Sequence, residues 1–233
     1  MIELVYSPNW FHGKDIIIDT VSIVVLSLIA FFSIRCYRID KENKNYLYLA
    51  ISFIVIAFSF LFSIITNFTI YYKSIETANL GFLTLTYQAM RSTDILFFIG
   101  YLMHRILMLS GLFMLYCIYD KHSKSGMFLG LYLILVSTYF SRSAYYIFHL
   151  TMLVMLLIIT LQYWKNYRKV MNKTSKWLFY GFSLITLSQI VFIFINTNPL
   201  LYVAAEIIQL LGYIGLLITF IKVLKDGKKK GKK

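Results

Sequence analysis

"MFLGLYLILVSTYF", residues 127–140, lies between the basic "KHSK" of 121–124 and the "SRS" of 141–143. At about 1.5 Å per residue, a helix of that length reaches about 21 Å, short of the about 30 Å of bilayer hydrocarbon. Whether it crosses decides between six and seven spans, and so decides the side on which every later loop lies.

Six other apolar segments frame the choice, at about 15–36, 46–70, 94–119, 142–164, 177–196 and 199–222. With 127–141 counted, the inner loops hold Arg35, Arg38, Lys41, Lys44, Lys121, Lys124, Lys165, Arg168, Lys169, Lys173 and Lys176. Lys222, Lys225 and the run "KKKGKK" follow on the same side, making 18 of the 23 basic residues. Lys14, Lys73, Arg91 and Arg142 fall on the other side, and Arg105 falls within a span. Lysine and arginine concentrate in cytoplasmic loops, so the N-terminus is expected outside and the C-terminus inside. A six-span count would put "KNYRK" (165–169) outside, against that rule. The expectation is therefore an all-α, polytopic seven-transmembrane-helix bundle forming a single domain over 1–233, with 223–233 as a basic cytoplasmic tail.

Composition agrees. The chain is 59% hydrophobic and 14% charged, against about a quarter charged in ordinary globular proteins. Its 233 residues are nearly all used in spans, so no soluble catalytic or nucleic-acid-binding domain fits among them. The net charge of +13 resides in the inner loops and tail, where it favours anionic lipid headgroups and gives no reason to invoke nucleic acid. The expected setting is the cell membrane, multi-pass, with the lipid bilayer itself as the first partner.

Cys36 and Cys117 fall near inner span ends, which suggests free thiols and no disulfide framework. "MIELVYSPNWFHGKD" lacks a positive n-region and a small-residue cleavage site, so the first span is expected to act as its own insertion signal. The 69–93 stretch reads as one long outer loop, an interfacial helix or a flap over the bundle. Pro8 and Pro199 both lie outside span interiors, leaving no obvious source for broken helices.

Polar residues within the spans carry what functional signal there is. On the second span Ser52, Ser59, Ser63 and Asn67 form one stripe; on the seventh, Ala205 with Gly212 and Ala204 with Gly215 form two small-residue faces. Such stripes permit close backbone approach and interhelical hydrogen bonds. Charges are costlier, about +2.5 to +3.5 kcal/mol at a span centre. Arg105 is eleven residues below Asp94, about 16 Å deep, and Glu206 is seven below Pro199, about 10 Å deep, so the two are expected to pair. Asp19, His149, Gln189 and Glu206 arise on different spans in the same half. Asp94, Tyr101, Arg105 and Tyr116 share a line on the third span, as do Tyr202, Glu206, Gln209 and Tyr213 on the seventh and Tyr145, His149 and Met152 on the fifth. His104 points about 100° away from Arg105, onto a face with Gly100, Met108 and Gly111 suited to a helix contact.

Together these residues outline an outward-facing polar cavity for a small polar or anionic ligand, lined by Arg105, Glu206, His149, Gln189, Gln209, Tyr101, Tyr202, Tyr213 and Asp19. Arginine offers a fixed fork to carboxylate or phosphate. A non-enzymatic sensor or binding protein is the reading preferred. The alternatives are a membrane enzyme acting on a lipid or lipid-linked substrate, and a scaffold or transporter whose charges serve packing. No catalytic residue and no cofactor is assigned. A b-type haem or a metal ion on His104 and His149 is the weaker possibility, since a zinc hydrolase needs three ligands and a water site and Arg105 opposes a cation. A retinal Schiff base would need a lysine midway along the last span, whereas Lys222 stands at its inner end.

Overall fold

The structure is a computed structural model that describes residues 7–11, 13–79, 86–118, 124–141, 144–171 and 173–230. Among these, seven α-helices run in order: α1 Lys14–Ile39, α2 Asn45–Asn79, α3 Thr86–Cys117, α4 Lys124–Phe140, α5 Tyr145–Val170, α6 Lys173–Ile193 and α7 Leu200–Lys230. Two short 3-10 turns, Asn9–Phe11 and Ile195–Thr197, precede α1 and α7. Six of the helices are long and apolar enough to cross a membrane; α4, with its apolar Gly126–Phe140, is shorter. The protein is thus an all-helical, multi-pass membrane protein in its architecture.

Local chemistry sets the helix ends. Gly13 enters α1 at φ 83°, a left-handed conformation open to glycine, and Asp15 follows in the first turn, where a carboxylate complements the helix dipole. Asn198 caps α7 by accepting the Leu200 amide at 2.9 Å, with Pro199 pre-set for the first turn. At the close of α5, Met171 turns left-handed and its amide bonds to the Tyr167 carbonyl, with Arg168 and Lys169 in the last turn.

The 69–93 stretch departs from expectation. α2 continues to Asn79 and α3 already begins at Thr86, so most of it is helix extending the two spans. No proline or glycine interrupts 69–79, and nothing there forces the chain to turn at the end of its apolar run. Residues 80–85 lie outside the described residues. α7 likewise runs on into the basic tail as far as Lys230.

The helices form a ring in the order α1, α2, α3, α5, α6, α7, closing where α7 meets α1. Neighbours α1–α2, α2–α3, α5–α6 and α6–α7 pack extensively, whereas α3 and α5 touch sparingly. α4 lies outside that seam, with Phe128 73% and Tyr139 76% exposed. It runs antiparallel to α3. Gly130 sits against the Phe113 ring near one end of α3, and the Tyr101 hydroxyl donates to the Ser141 carbonyl at 2.7 Å near the other. The Ser137 and Thr151 hydroxyls join α4 to α5 at 2.8 Å.

Small residues let the other pairs close up. A β-carbon on Gly212 would stand 3.1 Å from the Gly181 carbonyl, and one on Gly111 would stand 3.1 Å from the Ser52 carbonyl. The α2 serines also reach neighbouring helices, Ser59 toward the Met108 sulfur of α3 at 3.8 Å and Ser63 toward Asp19 of α1, but the carbonyls of α2 itself compete for them. Ser52 donates to the Tyr48 carbonyl and Ser59 to the Ile56 carbonyl of their own helix. In apolar surroundings the carbonyl one turn back is always within reach, so it takes the hydroxyl proton first.

Candidate functional site

One end of the ring encloses a cavity of about 130 Å³. Its walls come from the first turns of α1, α5 and α7, the middle stretches of α2 and α3, and the last turns of α6. Asp19, Tyr101, Arg105, His149, Gln189, Tyr202, Glu206 and Gln209 all line it, from five helices; so does His104. Tyr213 lies one turn deeper, where its hydroxyl takes the Gln209 amide N–H at 3.1 Å. These groups, far apart along the chain, converge because they stand at similar depth on neighbouring antiparallel helices.

Arg105 is 2% exposed. Its guanidinium carbon lies 3.9 Å from the Tyr101 ring centre, 4.8 Å from Phe148 and 5.3 Å from Tyr145, so three aromatic faces close around the charge. Such ring faces attract a cation and are worth most where water is excluded. Glu206, expected to meet Arg105, stands at the same cavity's wall beside Tyr202 and Asp15. Asp19, 3% exposed, lies near Glu206 and within hydrogen-bonding reach of Ser63.

His104 uses its Nδ1 on the Ser59 carbonyl at 2.9 Å. A carbonyl only accepts, so that nitrogen carries the proton. Gly100, Met108 and Gly111 on the same face also meet α2, at Thr66, Ser59 and Ser52.

The hydrogen bonds around His149 fix its tautomer. The Ser188 hydroxyl donates to the Ile185 carbonyl at 2.7 Å, so Ser188 can only accept from the Gln189 amide N–H, 3.1 Å away. The Gln189 oxygen therefore faces His149 Nδ1 at 2.8 Å and accepts its proton. Nε2 is left as a bare lone pair. His149 is 5% exposed, lines the cavity, and its Nε2 has no hydrogen-bond partner among the described residues. Phe192 stacks on the imidazole at 4.7 Å and Tyr145 leans on it at 4.6 Å, holding the ring in place.

Sequence reasoning passed over several wall residues. Asp15 is one, although it stands four residues before Asp19 on the same face of α1. Phe148 is another, since an aromatic in an apolar span carries no polar signal. Ser7 is a third: the segment before α1 reaches the cavity, and Phe11 is buried edge-on against Tyr202 at 6.3 Å. Among the described residues no group of three or more His, Cys, Asp or Glu is arranged to hold a metal ion. No family model, curated protein or solved structure matches the chain.

Proposed function

We propose that this chain is a seven-span protein of the cell membrane, N-terminus outside and C-terminus inside, that binds a small polar ligand in the outer cavity as a non-enzymatic sensor or binding protein. The observation that carries the binding reading is the His149 lone pair, buried at the wall of a polar cavity without a partner among the described residues. An orphaned buried acceptor costs about 1–3 kcal/mol, a cost that a ligand or water donating to it removes.

The seven-span count rests on helix direction. α3 and α5 both begin at the cavity end, so the chain must travel the depth of the bundle between them, and α4 alone makes that journey. A 17-residue helix reaches about 26 Å, which a locally thinned bilayer accommodates. The orientation rests on the end opposite the cavity. There Arg168 lies 5.1 Å over Trp164, Lys222 4.3 Å over Trp177 and Lys176 5.9 Å over Tyr180, the pairing of cation and amphipathic ring that suits a headgroup layer. Anionic lipid headgroups are the proposed partner of this belt and of the tail beyond it.

The test is thermal denaturation of the purified protein against small acids, amines, zwitterions and headgroup analogues, with mass spectrometry of co-purified small molecules. Saturable stabilisation by one class, weakened in His149→Leu, is expected. No stabilisation and no co-purified molecule would leave the cavity a purely structural feature.

A further inference from the structure

The cavity's walls are unevenly charged. Asp15 and Asp19 of α1 and Glu206 of α7 stand on one side. Across the ring, at the α3–α5 seam, Arg105 is the one cation among the described lining residues, wrapped by Tyr101, Phe148 and Tyr145. Asp19 and Glu206 stand at the same cavity wall on two helices packed against each other, α1 and α7. Two carboxylates sharing a site of low polarity repel, and a cation placed between them removes that repulsion.

Acceptors stand at the wall on both sides of the acidic cluster. Carboxyl oxygens accept, and the tautomer set by Ser188 and Gln189 makes His149 Nε2 an acceptor too. Carboxylates together with a bare imidazole nitrogen favour a cation that carries several N–H donors over one without any. The space, about 130 Å³, holds roughly ten water-sized groups.

From this we infer that the cavity takes a small protonated primary amine, its ammonium held between Asp19 and Glu206 and one N–H given to His149 Nε2. The inference rests on the binding reading and reverses the sign of ligand that Arg105 alone suggested. An ammonium group has two sources, a free small amine or the ethanolamine headgroup of a membrane lipid.

The full-length protein in phosphatidylcholine nanodiscs would be titrated by thermal shift with ethanolamine, tetramethylammonium and acetate. A parallel sample would have phosphatidylethanolamine replacing part of the phosphatidylcholine. Saturable stabilisation by ethanolamine identifies a free amine. Stabilisation only in the phosphatidylethanolamine discs identifies the headgroup. Either supports the inference, provided the apparent affinity falls at least tenfold in Glu206→Gln or Asp19→Asn, whichever keeps a cooperative melt. Equal stabilisation by tetramethylammonium overturns the role of N–H donation. Stabilisation by acetate alone overturns the ligand class while leaving the binding reading intact, and silence from all four probes removes both.

Discussion

Gln189 shows how one side chain can govern a site it touches only indirectly. At 1% exposure it relays the Ser188 hydroxyl to His149 and so determines which imidazole nitrogen faces the cavity. Gln189→Leu should strand the His149 Nδ1–H and destabilise the protein by about 1–3 kcal/mol, read as a lower melting temperature. Adding His149→Phe should recover part of that loss, because removing both partners leaves nothing unsatisfied. A double variant as unstable as the sum of the two single variants would show that the pair does not act as a unit. The polar type of Gln189 and its depth were legible in the sequence. The tautomer was not, because it depends on the Ser188–Ile185 bond, and nothing in residue spacing says which way a serine proton turns.

At the scale of the element, α7 offered two small-residue faces, and spacing could not choose between them. The packing against α6 chooses the face of Ala205 and Gly212, both buried. A β-carbon at Gly212 would come within 2.5 Å of Ile185 Cγ1 and 3.1 Å of the Ile185 amide nitrogen, whereas at Gly215 it would meet only the Gly181 α-carbon at 3.8 Å. Gly212→Ala should therefore destabilise the protein by about 1–3 kcal/mol through overpacking against helix backbone. Gly215→Ala should be close to neutral. Chemical or thermal unfolding of the two variants in parallel decides it: equal losses would mean that α6 and α7 do not meet along this line. A different cause carried α2 and α3 past their expected ends. Helices end where caps, glycine or proline stop them, and hydropathy falls off earlier than the backbone does.

Across the whole molecule, direction is the property most open to test. Single cysteines introduced at Asn196, in the turn before α7, and at Lys169, near the close of α5, lie at opposite ends of the bundle and are both exposed. With the native Cys36 and Cys117 replaced by serine, a membrane-impermeant maleimide should label the Asn196 position in intact cells. It should reach the Lys169 position only after permeabilisation. The reverse pattern would invert the orientation and place the cavity on the cytoplasmic face. Both positions on the same side would mean that α6, the helix between them, does not traverse the membrane.

Composition and spacing alone determined that this is a helical membrane protein, and they put its polar residues at one depth. Both follow from quantities that are local or additive along the chain: the transfer of each side chain to hydrocarbon, the helical rise and the cost of a lone charge. Only the tertiary structure decided which neighbours those residues have. Arg105 is closed in by three aromatic rings, Asp15 joins Asp19 and Glu206 on the facing wall, the segment before α1 reaches the cavity, and α4 lies outside the ring over the seam between α3 and α5. Helix order around a bundle and the rotation of each helix about its axis arise from side-chain packing between segments far apart in sequence, which no count along one chain contains.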